Sequence, residues 1–162
     1  MEVQLERIIQ RLTEVGVEYV LVGGYAAVAL GVPIITRDID VCFNFTKENL
    51  VKLARALSDL HPKHRITPQR LPLEINEKNW ESFKNLYLEL DWGILDCLGE
   101  VKGLGGFQNV LAVSQPINLP FGVCRILTVN ALIQAKEAMG RPHDMQTISY
   151  LKAIEGKKRY SS

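Results

Sequence analysis

The chain has 162 residues, 47% hydrophobic and 23% charged, the composition of one ordinary globular domain that can bury a core and is too short for two. Its formal net charge of +1 excludes an overall field that would draw it onto nucleic acid or an anionic membrane, so such partners would need a local basic patch. Cys42, Cys97 and Cys124 are widely spaced in apolar stretches and read as buried thiols in a reducing, cytoplasmic setting. Met1 to Gly16 carries charges throughout with no apolar leader, and no window approaches the roughly 18 to 20 apolar residues that span a bilayer, so no membrane partner is expected.

Leu5, Ile8, Ile9, Leu12 and Val15 recur at helical spacing before Gly16, which predicts an amphipathic first helix. Tyr19 to Val22 reads as a short strand, Gly23-Gly24 as a tight turn, and the Ala-rich stretch up to Gly31 as a helix. From Asp38 to Phe45 polar and apolar residues alternate, the period of a half-buried strand that turns both aspartates to one face. Thr46 can cap a third helix with Leu50, Leu53, Leu57 and Leu60 as its stripe, ended by His61-Pro62.

Residues 61–80 read as a surface excursion, with a brief strand expected at Arg65 to Thr67. Leu86 to Asp91 and Ile94 to Leu98 flank Trp92-Gly93 as a hairpin that puts Asp96 near the middle of its second strand. After a loop at Gly103 to Gly106, strands are expected at Val110 to Val113 and Val123 to Val129. A helix follows from Asn130 to Met139, stopped by Gly140, and a last one opened by Pro142 and stopped near Gly156, with a frayed tail. The order predicts a single α/β (α+β) domain over residues 1–162, core about 17–151, with a mixed sheet and helices mainly on one face.

Asp38 and Asp40, two apart on one strand, have Cβ atoms roughly 6 to 7 Å apart and can bracket divalent cations. A third carboxylate would complete a two-ion site for phosphoryl transfer. Asp96, flanked by Ile94, Leu95, Cys97 and Leu98, is the first candidate, because a mid-strand aspartate is costly to bury unless paired or bound to metal; Asp91 is the second. Gly23-Gly24 opening a helix lets backbone approach a phosphate closely.

With these pieces in place, Leu21 to Val41, LVGGYAAVALGVPIITRDIDV, resembles the Gly-Gly, helix, Gly, Thr-x-Asp-h-Asp-h signature of the polymerase-β-like nucleotidyltransferase superfamily. GILDCLGEV and LIQAKEAMGRPHD add a resemblance to its small prokaryotic branch of minimal nucleotidyltransferases and AbiE-type abortive-infection toxins. The resemblance implies a nucleotidyltransferase fold, metal held by Asp38, Asp40 and Asp96, and nucleotide phosphates on Gly23 and Gly24. It also implies Mg²⁺, two ions, with Mn²⁺ as a substitute. Thr36 and Arg37 adjoin that grip, Ile34 stands where the branch often has arginine, and Lys136 and Arg141 match basic positions that would neutralise phosphate. For Arg141 and Asp144 a mutual structural ion pair is an equal alternative.

The expected reaction is Mg²⁺-dependent transfer of a nucleoside monophosphate from an NTP to a hydroxyl on RNA, a protein or a small molecule. RNA is not favoured, because the basic residues are scattered apart from Lys63, His64, Arg65 and Arg70 and the Lys157 to Arg159 tail. The rival is an inactive module with a protein partner in a toxin-antitoxin-like pair. Exposed strand edges suggest a homodimer.

Overall fold

The computed structural model describes residues 3–160. Helix α1 (Leu5–Val15) buries Ile8, Ile9 and Leu12 and ends at Gly16, whose φ of +85° is the left-handed conformation that lets the chain reverse. Strand β1 (Tyr19–Val22) leads directly into α2 (Gly23–Ala29), and β2 (Asp38–Phe43) returns antiparallel to β1. Helix α3 (Lys47–Leu57) is capped by Thr46, whose hydroxyl accepts the Asn49 N–H at 3.2 Å. A 3-10 turn at Ser58–Leu60 extends it, so Leu60 joins the core from outside the helix proper.

The brief strand in the surface excursion is β3 (Lys63–His64), two residues before the predicted Arg65 to Thr67, because its partners Leu88 and Glu89 lie opposite residues 63 and 64. A second 3-10 turn, Trp80–Ser82, leads into the hairpin β4 (Asn85–Leu90) and β5 (Gly93–Leu98). The glycine loop contains a two-stranded ribbon, β6 (Glu100–Val101) with β7 (Gly105–Gly106).

The predicted strand at Val110 to Val113 is instead helix α4 (Phe107–Ala112). Phe107, Val110 and Leu111 fall at helical spacing and bring one face to the core, so tertiary burial selects the 3.6 period over the short β-like run. The strand comes next, as β8 (Ser114–Leu119), paired with β9 (Gly122–Leu127). Helix α5 (Val129–Met139) is capped by Thr128 and closed by Gly140. After a 3-10 turn at Pro142–Asp144, helix α6 (Met145–Tyr160) runs through Gly156, which does not stop it. Helical residues 156–160 correct the expected frayed tail up to that point, and its last two residues lie outside the described ones.

The seven-stranded mixed sheet has the order β3-β4-β5-β2-β1-β9-β8, with β2 parallel to β5, β1 parallel to β9 and the other pairs antiparallel. Leu21, Ile39, Val41 and Leu95 of its centre, Ile8, Ile9 and Leu12 of α1, and Leu50, Leu53 and Leu57 of α3 belong to one core with under 1% exposure each. Both edges are blunted: β8 carries Pro116 and β3 is two residues long. Cys42, Cys97 and Cys124 are free and buried. Among the described residues no helix is long and apolar enough to cross a membrane.

Candidate active site

The parallel pairing of β2 with β5 sets Asp40 directly beside Asp96, and the antiparallel pairing of β1 with β2 sets Val22 beside Asp40. Neighbouring strands lie about 4.8 Å apart, so residues paired in this way share one face of the sheet. Asp38, two residues before Asp40, joins them at the exposed start of β2. Two segments distant in sequence thus bring three carboxylates to one face of the sheet. Asp91, the second choice, lies in the β4–β5 turn, where its Oδ2 is 2.7 Å from His61 Nδ1.

Gly23 stands against this group for a steric reason. Its φ is +72°, and a Cβ built on it would collide with the Oδ2 and Cβ of Asp40. Only glycine lets the start of α2 lie on the aspartate. A Cβ on Gly24 would come within 3.2 Å of Thr36 Oγ1, and that hydroxyl donates to the Asp38 carbonyl at 3.2 Å. Gly23, Gly24, Thr36, Asp38 and Asp40 thus form one contiguous patch. Arg37, beside them in sequence, is exposed.

Lys136 and Arg141 line a cleft with Gly23 and Asp40. Lys136 is only 6% exposed, so it is not on a solvated face. Asp144 binds both cations: Arg141 Nε donates to Oδ2 at 2.6 Å and Lys136 Nζ to Oδ1 at 3.4 Å. Burial works to raise the Asp144 pKa, but the Arg141 hydrogen bond and the two positive charges outweigh it and hold the carboxyl below its ordinary value. The ion-pair alternative for Arg141 and Asp144 is what the structure contains, and it leaves both cations facing the cleft.

Asp40 is perturbed in the opposite direction, up to about 6, first by burial and then by the charges of Asp96 and Asp38, with Lys136 and Arg141 opposing. Among the described residues neither Asp38 nor Asp40 has an ion-pair partner. Asp96, 7% exposed, does have one, and sequence reasoning missed it. Arg65 Nε donates to its Oδ1 at 3.1 Å and Nη2 to its Oδ2 at 2.5 Å, a two-pronged pair typical of guanidinium and carboxylate. The Arg65 backbone N–H bonds the Tyr87 carbonyl at 3.0 Å, and its guanidinium lies 5.7 Å from the Tyr87 ring centre. Arg70 of the same basic cluster is paired with Glu89. No signal in the sequence predicts the Arg65 pair, since it depends on the register of β3 against β4.

Among the described residues no three Asp, Glu, His or Cys side chains are drawn together closely enough to ligate one ion by themselves. Arg65 takes both oxygens of Asp96. Mg²⁺ asks for less than three protein ligands, because it keeps waters and shares its shell with substrate phosphates around one or two carboxylates. The unpaired Asp38 and Asp40, on one strand face and beside a cradle only glycine can form, fit such an ion.

The order of the sheet, the helix-bearing glycine turn after β1 and the aspartates on β2 and β5 define a nucleotidyltransferase fold. Solved structures agree: the lincosamide antibiotic adenylyltransferase LnuA, crystallised with lincomycin, superposes with a TM-score of 0.62 at 20% identity over 95% of this chain and 99% of that one. TM1012 from Thermotoga maritima, to which a nucleotidyltransferase role is ascribed, superposes with a TM-score of 0.56 at 18% identity over 90% of this chain and 88% of that one. No family model and no curated protein matches the sequence.

Of the aromatic residues, Tyr25 is buried in the core and Trp92 lies under Arg7 and Arg11, 4.8 and 5.0 Å from its ring centre. Trp80 and Tyr87 line a separate cavity.

Proposed function

We propose that the protein is a Mg²⁺-dependent nucleotidyltransferase that moves a nucleoside monophosphate from an NTP to a hydroxyl acceptor. The observation that carries this reading is the register of Asp40 beside Asp96, with Gly23 fitted against Asp40 so closely that any side chain there would displace it. Acidic groups on one sheet face, Asp38 and Asp40 without an ion-pair partner among the described residues, cost electrostatic energy that a cationic ligand would recover.

In this reading Asp38 and Asp40 hold the ion, and Asp96 contributes the third carboxylate from β5. Backbone at Gly23 and Gly24, with Thr36 and Arg37 alongside, adjoins the phosphates, and Lys136 and Arg141 oppose their charge from across the cleft. When bound, Mg²⁺ supplies charge neutralisation on the phosphates and lowers the pKa of the attacking hydroxyl. The hydroxyl oxygen forms the new bond to the α-phosphorus in line with the departing pyrophosphate. The likeness to LnuA makes lincomycin the first acceptor to try.

The test is calorimetric titration of the purified protein with MgATP and the other NTPs, alongside Asp38→Asn/Asp40→Asn. Binding that requires Mg²⁺ and disappears in the double variant supports the reading. A folded wild type that binds no NTP would refute it and favour the interaction module of a toxin-antitoxin-like pair.

A further inference from the structure

A cavity of about 740 Å³ opens at the end of the sheet where β2 and β5 finish, bounded by the Trp80–Ser82 turn on one side and α4 on the other. Its size falls among pockets that take drug-sized ligands, roughly 300 to 1,000 Å³. Phe43, Phe45, Trp80, Phe83, Tyr87 and Phe107 line it, half of the chain's aromatic residues. All but Phe43 are only half-buried. Rings left partly open to water forgo hydrophobic stabilisation of about 25 cal/mol per Å², which a ligand laid against them would recover.

The cavity adjoins the cleft that holds the carboxylate site. Leu98 and Glu100 line both it and the cleft that holds Gly23, Asp40 and Lys136. Tyr87 sits beside Asp96 across the β4–β5 pair and carries Arg65 over its ring, so one wall of the cavity is the far side of the Arg65–Asp96 pair. A compound in the cavity and a nucleotide in the cleft would approach each other over Leu98 and Glu100.

Charge narrows the occupant. The titratable groups of the lining are Glu81, Glu100 and Lys84, net negative. A polyanion such as RNA binds through cations that neutralise its phosphates, and the lining offers only Lys84 for that. Of the basic cluster in residues 63–70, Arg65 and Arg70 are already paired with Asp96 and Glu89.

We infer that this cavity is the acceptor compartment, and that the acceptor is a small, ring-bearing hydroxyl compound, neutral or cationic, not RNA. The inference rests on the nucleotidyl-transfer reading. The acceptor's hydroxyl oxygen bonds to the α-phosphorus of the NTP, the bridging bond between the α- and β-phosphates breaks, pyrophosphate leaves with that electron pair, and the hydroxyl proton passes to water. The product is a phosphodiester between nucleoside and acceptor.

The experiment screens hydroxyl-bearing ring compounds of drug size, neutral and cationic, with a short oligoribonucleotide bearing a free 3′ hydroxyl in the same plates. Transfer from α-labelled ATP and quenching of tryptophan fluorescence are both read. The expected hit is labelled, quenches the wild type, and loses its quench in Trp80→Phe. Phe107→Ala weakens its binding at least tenfold while MgATP affinity changes less than twofold, which also shows that the variant is folded. For cationic hits Glu81→Lys, at an exposed position, weakens binding in the same way. MgATP binding with label only on the oligoribonucleotide, with none on any compound, or on hits indifferent to Phe107→Ala and Trp80→Phe overturns the inference and leaves the transfer reading standing. Failure of MgATP to bind the wild type overturns both.

Discussion

Asp40→Asn should stabilise the metal-free protein, and the gain should depend on pH. The Asp40 carboxyl is pushed to about 6 from an ordinary value of 3.8, so the folded state holds this proton more tightly than the unfolded one. Below about pH 4 both states are protonated and the residue contributes nothing to the difference. As pH rises through 6 the folded protein is forced to carry a charge that burial, Asp96 and Asp38 all oppose. The shift corresponds to about 3 kcal/mol lost at neutral pH and about 1 kcal/mol at about pH 4.5. For a chain of this size about 3 kcal/mol moves the melting temperature by roughly 6 to 12 °C. Melts in EDTA should therefore place Asp40→Asn well above the wild type at about pH 7.5 and only slightly above it at about pH 4.5. Mg²⁺ should raise the wild type and leave the variant where it is. An equal gap at both pH values, or a variant that melts lower at neutral pH, would refute the electrostatic account of this site.

Arg65→Ala removes both hydrogen bonds of Asp96; it should lower stability by about 1 to 3 kcal/mol in EDTA while tightening Mn²⁺ binding several-fold, read by electron paramagnetic resonance, since one competitor for that carboxylate is gone. Gly23→Ala puts a methyl group onto Asp40 at a positive φ; it should cost about 1 to 3 kcal/mol and abolish MgATP binding by calorimetry, including at temperatures where the variant is fully folded. Asp144→Ala leaves the buried Lys136 without its counter-charge and should cost about 3 to 5 kcal/mol in urea unfolding, with Asp144→Ala/Lys136→Met recovering much of it. Because the Asp144 pKa is lowered, its contribution should be present above about pH 4 and fade as pH falls below that value.

The parts of the site that sequence reveals are those fixed by local rules. Tyr19 to Val22 is a run of β-formers cut by two glycines, and it forms β1 with those bounds. Alternation from Asp38 onward puts two carboxylates on one face whatever strand lies alongside. Asp96 is legible because a two-residue hairpin turn fixes its depth in β5, and a buried aspartate there needs a reason. What is not legible depends on which segments meet. FQNVLAV satisfies both a short strand and a helical turn, and only the core beneath Val110 decides in favour of α4. The cavity takes its rings from β2, β4, α4 and the turn at Trp80–Ser82, so no window of sequence contains it.

The pairing of charges around the site separates what the chain completes by itself from what it leaves for a ligand. Asp144 satisfies Lys136 and Arg141, and Arg65 satisfies Asp96, so each of these groups has an opposite charge within the protein. Asp38 and Asp40 do not, among the described residues, and burial together with the charges of Asp96 and Asp38 pushes the Asp40 carboxyl up to about 6. A structural network would have closed on them too, as it did a few residues away. Lys136 and Arg141 reach the cleft while paired with Asp144 and do not close on either aspartate. The residual negative charge therefore lies on one strand, beside the glycine cradle and in the cleft that Lys136 and Arg141 line. On the proposed function the ligand there would be a divalent cation carrying a nucleotide, and Arg65, leaving or sharing Asp96 as the ion arrives, is the side chain whose movement would report it.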